Sequence, residues 1–326
     1  MNMPGVSTFD INVDGIFALD PTLVTSLLVA ATTLAVAGIV LFVLERWSRM
    51  DVSSMWLTYR GWLYIFPLVL ICFLGGRVMT ILGVALVGAA SLREYVRATR
   101  LNVDRRLTYG IYAALAAVVG VTLLTDPQGG NDFWYRIFMV LPVYVIVGLA
   151  ALQIAGEDRE QRFTRLCLSI LGFVLFAWMF GHLGFLANAQ HFYGYVFFLI
   201  FSIEICDVAA FAFGKAFGRH KLCPHISPNK TWEGAIGAFL VAMTLPWVLG
   251  FALPHFDTTT RLLAGLIVGI GGPLGDLTVS MLKREAGIKD LGTAIPGHGG
   301  VLDRVDSLVL ATPLFFHMVQ YFYGIH

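Results

Sequence analysis

Residues 22–44 read TLVTSLLVAATTLAVAGIVLFVL, 23 consecutive residues without a charged side chain. About 20 apolar residues are enough to carry a helix across the ~30 Å hydrocarbon core of a bilayer. The rest of the 326-residue chain has the same character, with 57% hydrophobic and only 13% charged residues, where soluble domains carry about 25% charge. The composition describes an integral membrane protein, and a lipid solvent forces the spans to be helical because unpaired backbone groups are costly there. The fold class expected is all-α: a polytopic helical bundle of about ten transmembrane helices with a polar cavity open to the cytoplasm. No large soluble domain fits in what remains. A net charge of +1 argues against a nucleic-acid partner. Met1 to Asp20 contains no Lys or Arg, so a cleavable signal peptide is not expected. Cys72, Cys167, Cys206 and Cys223 have no framework spacing and are expected as free thiols.

Apolar runs place spans at 22–44, 62–74, 78–92, 108–124, 133–153, 166–187, 193–213, 235–251, 262–282 and 307–323. The second and third are short and separated only by Gly75-Gly76-Arg77, which implies a tight hairpin. If ten spans alternate, the loops at 45–60, 93–107, 154–165, 214–234 and 283–306 share one side and hold 19 of the 22 Lys and Arg. The positive-inside rule makes that side cytoplasmic and puts both termini outside. Residues 1–190 then form a set of about six N-terminal membrane helices, and 191–326 a catalytic membrane region.

Three acidic residues stand inside spans: Glu204, Asp207 and Asp276. Each costs about 2.5–3.5 kcal/mol at a helix centre unless it is paired or faces water. Glu204 and Asp207 are three apart and share a helix face. Snorkelling toward the cytoplasm is the simple explanation, and a polar cavity the sharper one. Asp276 ends the stretch GIGGPLGD at 269–276. Its glycines suit close helix packing, whereas a break at Pro273 beside a carboxylate suits a cation site.

Two basic loops carry the chemistry. The first contains SPNKTWEG at 227–234, where Ser227 and Thr231 can donate to anionic oxygens while Lys230 neutralises them. The second runs SMLKREAGIKDLGTAIPGHGGVLDRVDS from Ser280 to Ser307. Pro296 to Gly300 can turn amide N–H groups inward as an anion nest, and Asp303 and Asp306, at i and i+3, can reach a hard cation. Lysines and carboxylates in one site are what metal-assisted phosphoryl or nucleotidyl transfer requires.

The second loop resembles the signature of the phosphatidate cytidylyltransferase (CDP-diacylglycerol synthase) family at Ser280, Lys283-Arg284, Lys289-Asp290, Gly292, Pro296, His298-Gly299-Gly300, Asp303-Arg304 and Asp306. SPNKTWEG resembles its Ser-Pro-Lys-Lys-Thr-Trp-Glu-Gly element, with Asn229 in place of the second lysine, and Phe211 stands where the family commonly has an aromatic hydroxyl. Asp207 with Gly214, Gly275-Asp276, and Arg93-Glu94-Tyr95 at the end of an earlier helix are further points of likeness.

The resemblance implies transfer of the cytidylyl group of CTP to phosphatidate or a related lipid phosphate at the cytoplasmic face of a bacterial inner membrane. It implies Mg2+ as cofactor, with room for a second cation, and allows a homodimer. Asp276 and Asp303 are the expected magnesium ligands, with Asp306 and Asp290 next. Lys230, Lys283, Arg284, Lys289 and Arg304 are the expected phosphate clamps. His298, Gly299 and Gly300 would hold the polyphosphate, and Ser227, Thr231 and Asp207 would line the substrate site. A CTP-dependent lipid kinase would use similar groups. A transporter would use Glu204, Asp207 and Asp276 but has no evident need of the Gly-His-Gly-Gly loop.

Overall fold

The computed structural model describes residues 20–47, 53–126, 133–156, 161–288, 292 and 299–325. Ten helical passages run antiparallel to their chain neighbours, as the apolar runs predict. They are α1 (Pro21–Trp47), α2 (Ser53–Leu74), α3 (Gly76–Ala98), α4 (Arg105–Leu124) and α5 (Phe133–Ile154), then a sixth passage made of α6 (Arg162–Gly172), a π-helical turn (Phe173–Met179) and α7 (Phe180–Phe185), then α8 (Phe192–Phe217), α9 (Trp232–Val248), α10 (Thr258–Glu285) and α11 (Leu302–Tyr323). Eight of the passages are long and apolar enough to cross a membrane, and α9 is a shorter apolar helix. The molecule is therefore an all-α polytopic membrane bundle. A small antiparallel hairpin, β1 (Lys221–Cys223) and β2 (Ser227–Thr231), interrupts it between α8 and α9.

Several expected boundaries change. The second and third passages have 22 and 23 residues, well beyond the apolar runs that mark them. The hairpin between them holds, and its turn is made at Gly76, whose φ of +68° is open to glycine at little cost. Arg77, next in the chain, donates from Nε to Asn188 Oδ1 at 2.6 Å and from its guanidinium to the carbonyls of Leu123 and Thr125 at 2.9 and 2.6 Å. It thereby pairs carbonyls left open at the end of α4. The last passage starts five residues before the apolar run does, so Asp303 and Asp306 sit on α11 rather than in the loop before it.

Burial separates a periphery from a core. In α1 only 6% of an 18-residue apolar stretch is buried, against 50% of the corresponding stretch of the sixth passage. The α10 helix packs extensively on α11 and α9, and α8 on α9. The core holds Phe138, Phe176, Phe185, Phe198, Phe315 and Phe316, all essentially inaccessible. Side chains exposed on the outside of the bundle, such as Ile39, Val143 and Leu240, are those a lipid solvent would cover.

Four of the five loops expected on one side meet at one end. Arg284 donates from Nε to the Ile226 carbonyl at 3.0 Å, Arg106 reaches the Ala155 carbonyl at 3.2 Å, and Glu94 reaches the start of α11. The other end is joined by the Arg77 contacts, by a Tyr195–His255 hydrogen bond of 2.6 Å and by a Thr260–Tyr323 hydrogen bond of 2.7 Å. The four cysteines are free.

Candidate active site

The α10 helix is continuous from Thr258 to Glu285 and passes through Pro273. The break expected in GIGGPLGD is therefore absent, and its glycines serve close packing. A methyl on Gly271 would stand 3.0 Å from Ala311 Cα, and one on Gly275 would stand 2.5 Å from the Asp306 carbonyl oxygen. With no side chain between them, α10 and α11 approach closely enough to bring Asp276 beside the first two turns of α11.

Lys230, at the end of β2, forms an ion pair with Asp276 Oδ2. Ser280, one turn beyond on α10, donates to Asp276 Oδ1 at 3.1 Å. Lys283 donates to Asp303 Oδ1 at 3.0 Å, and the backbone N–H of Gly300 donates to Asp303 Oδ2 at 2.8 Å. The two pairs differ in depth. The Lys230 and Asp276 side chains are 28% and 24% exposed, those of Lys283 and Asp303 13% and 7%. The outer pair is in partial contact with water, while the inner one is largely cut off from it.

On α8, Asp207 is exposed and accepts a long hydrogen bond of 3.4 Å from Ser307 Oγ. It lies within electrostatic reach of Asp276, Lys230 and Arg304. Glu204, one turn earlier, is within reach of Asp207, Arg304 and Asp306. Asp306 itself is buried and accepts the Ser307 N–H at 2.8 Å. The acidic residues of α8, α10 and α11 thus converge with Lys230, Lys283 and Arg304 on a single polar region.

The hairpin frames one wall. Thr231 is buried, and its Oγ1 accepts the Gly234 N–H at 3.2 Å, which makes it the N-cap of α9. Ser227 faces Cys223 across the hairpin and is partly exposed, and Arg284 is exposed while tying the hairpin to α10. Glu233 accepts from His220, with Oε1 2.7 Å from Nδ1.

Lys289, Asp290 and His298 lie outside the described residues. Of the expected nest, Gly299 has a φ of +79°, and the Gly300 amide is taken by Asp303. The next two amides, of Val301 and Leu302, donate to Glu94 Oε1 and Oε2 at 3.0 and 2.8 Å. In the described part of the nest the anions are the protein's own carboxylates. Glu94 was visible in the sequence only as the middle of Arg93-Glu94-Tyr95, and a contact across more than 200 residues has no local signal.

Among the described residues, no three His, Cys, Asp or Glu side chains come together in a way that could hold a metal ion. The donor chemistry nevertheless suits a hard cation, because the converging ligands are all carboxylate oxygens. In Asp276 and Asp303 these oxygens already hold a cation, the ammonium of a lysine.

Two lysine–carboxylate pairs meet at one end of a membrane bundle close to Gly300, and cations and carboxylates set together in this way have the chemistry that suits a polyphosphate. The molecule is a membrane-embedded enzyme of the nucleotidyltransferase class. A family model described as Cytidylyltransferase family matches residues 56–322, and the chain belongs to that family. It is 32% identical over 290 residues to the Escherichia coli (strain K12) protein called Uncharacterized protein YnbB, covering 86% of this chain and 92% of that one. It is 33% identical over 207 residues to a phosphatidate cytidylyltransferase of Staphylococcus haemolyticus (63% of this chain, 76% of that one). It is 46% identical over 138 residues to one of Haemophilus influenzae (40% and 44%).

Proposed function

We propose that the protein transfers the cytidylyl group of CTP to phosphatidate, giving CDP-diacylglycerol and pyrophosphate at the cytoplasmic face of a bacterial inner membrane. The observation that carries this reading is the double ion pair, Lys230 with Asp276 and Lys283 with Asp303, on four positions that match the phosphatidate cytidylyltransferase signature. The names of the Staphylococcus haemolyticus and Haemophilus influenzae relatives support the acceptor. A side assignment with 19 of 22 basic residues in the loops at the site's end supports the cytoplasmic face.

A phosphate oxygen of the lipid attacks the α-phosphorus of CTP, and the bond from that phosphorus to the bridging oxygen of pyrophosphate breaks. The acceptor phosphate is largely ionised at neutral pH, so no strong general base is needed. Positioning and charge neutralisation set the rate. Lys230 and Arg284 stand at the hairpin, where an incoming lipid phosphate can draw the Lys230 ammonium away from Asp276. Lys283, Lys289 and Arg304 are assigned to the nucleotide phosphates, with His298, Gly299 and Gly300. Ser227 and Asp207 line the approach. Mg2+ is the proposed cofactor; Asp276 and Asp303, with Asp306, would hold it, and when bound it would offset the negative charge of the polyphosphate. The α9 helix, at 17 residues, is about 26 Å long.

The test is to incubate membranes containing the protein with phosphatidate and CTP labelled on the α- or γ-phosphorus. The expected result is α-label in the lipid and γ-label in pyrophosphate. γ-Label in the lipid would make the protein a kinase, and label in neither would favour transport. Replacing phosphatidate by other lipid phosphates in the same assay identifies the acceptor.

A further inference from the structure

We infer that Glu94, on a helix far from the signature in sequence, is a positioning residue that holds the start of α11 so that Asp303 meets Lys283 and would stand ready for the proposed cation. This rests on the cytidylyl-transfer reading above.

The α11 helix lacks a side-chain cap of its own, since its N-cap position is Val301. The first N–H groups of a helix need acceptors, and here they come from α3. Glu94 accepts from Val301 and Leu302 with one oxygen each, and it is 8% exposed. Its placement is rigid, because the next residue, Tyr95, is fully buried and donates to the Leu168 carbonyl at 2.7 Å. Gly292 and Gly300 both lie against the Glu94 carboxylate, where any added methyl would overlap it. Two ends of the signature loop are therefore fitted around one carboxylate.

The consequence falls on Asp303. Its Oδ2 accepts from Gly300, and Glu94 takes the next two amides. Three successive N–H groups, of Gly300, Val301 and Leu302, thus fix the turn from which Asp303 projects. A helix N-terminus with free amides attracts phosphate. Glu94 removes two of those amides from competition and converts an anion site into a fixed support.

The experiment compares wild type, Glu94→Gln and Glu94→Ala in detergent by hydrogen exchange across residues 299–308. On the same samples it measures Mn2+ affinity by electron paramagnetic resonance, and α-label transfer as a function of Mg2+ and CTP. In Glu94→Ala the Val301 and Leu302 amides should lose protection. Mn2+ should bind more weakly, the half-saturating Mg2+ should rise, and kcat should fall by about tenfold or more, the scale of one charge-assisted hydrogen bond. The phosphatidate KM should stay within about twofold. Glu94→Gln, which keeps one acceptor oxygen, should lie between. A purely structural strut would lower the thermal midpoint of Glu94→Ala while leaving kcat and the Mg2+ constant of the folded fraction unchanged, and that result overturns the proposal. So does unaltered amide exchange, unaltered Mn2+ affinity, or a lower CTP KM, which would make Glu94 a competitor of the nucleotide. Failure of wild type to label lipid from α-labelled CTP would sink the transfer reading instead, while exchange and Mn2+ affinity still report on Glu94.

Discussion

At the scale of single residues, the inner pair separates stability from chemistry. Lys283 and Asp303 are little exposed, and removing one partner of such a pair leaves a charge stranded away from water, which typically costs about 3–5 kcal/mol. Asp303→Asn should therefore lower the thermal midpoint of the solubilised protein as well as abolish transfer. The double variant Lys283→Met with Asp303→Leu strands no charge. Its midpoint should recover to near wild type, since apolar replacement of a buried pair is often neutral or stabilising, yet its activity should stay lost. A double variant as unstable as Asp303→Asn would show that the pair contributes more than its desolvation costs. The outer pair should behave differently. Lys230 and Asp276 are about a quarter exposed, and pairs in contact with water are worth about 1 kcal/mol or less. Asp276→Asn should leave the midpoint nearly unchanged while removing activity at every Mg2+ concentration. Near-normal turnover in that variant would take Asp276 out of the site.

At the scale of elements, the site depends on how closely α10 and α11 pack. Gly275→Ala places a methyl 2.5 Å from the Asp306 carbonyl oxygen, a backbone atom that can move only with its helix. Overpacking of this kind costs about 1–3 kcal/mol, and the separation it forces should pull Asp276 from Asp303 and depress activity further than stability. Gly120→Ala in α4 is the control, with nothing within 4 Å of the added methyl. It should be neutral or slightly stabilising, because glycine inside a helix costs about 0.5–1 kcal/mol relative to alanine. Equal effects of the two substitutions on activity would mean that helix spacing is not what gathers the carboxylates. GIGGPLGD also shows where sequence reading stops. Its glycines fit close packing and a helical break equally well from composition alone, and only the partner helix distinguishes them. The number and order of passages were legible because lipid imposes helices on every long apolar run. The true ends of α2, α3 and α11 were not, because polar residues continue a helix wherever neighbouring protein or headgroup water receives them. Of the candidate lysines and aspartates, Lys230, Asp276, Lys283 and Asp303 were legible as a group, and Lys289 and Asp290 lie outside the described residues. Their pairing, and the role of Glu94, depend on contacts between α3, the hairpin, α10 and α11 that no local pattern encodes.

For the whole molecule, the two ends differ in how they should respond to acid. Opposite the site, His255 sits between α9 and α10, half-buried and stacked on His191 at a centroid distance of 4.3 Å. The Tyr195 hydroxyl lies 2.6 Å from His255 Nε2, the Tyr323 ring packs edge-on at 4.7 Å, and Nδ1 is buried without a hydrogen-bond partner. Asp257, two residues on, caps α10 through the Thr260 N–H and hydroxyl and directs its carboxylate there. Burial, and secondarily the His191 ring, pull the His255 pKa down to about 4 from an ordinary 6.5. The unfolded chain therefore binds a proton between those values that the folded one does not. Stability contributed by neutral His255 is full above pH 6.5 and is lost progressively as pH falls toward about 4. Asp257 acts over a lower range with the same sign: its carboxyl is held below the ordinary carboxylate value by the Thr260 N–H and hydroxyl, and its contribution goes as pH falls through that region. Thermal midpoints of the solubilised protein should thus decline on acidification from 6.5. His255→Gln, which cannot be protonated, should show a shallower decline between pH 6.5 and 4 than wild type. Parallel curves for the two proteins would show that His255 titrates normally in the folded state. If the basic loops are cytoplasmic, this acid-sensitive end faces outward, and a reporter fused after His326 should be accessible from outside while one inserted near Gly156 should not. An inaccessible C-terminus would reverse the orientation and remove the basis for a cytoplasmic site.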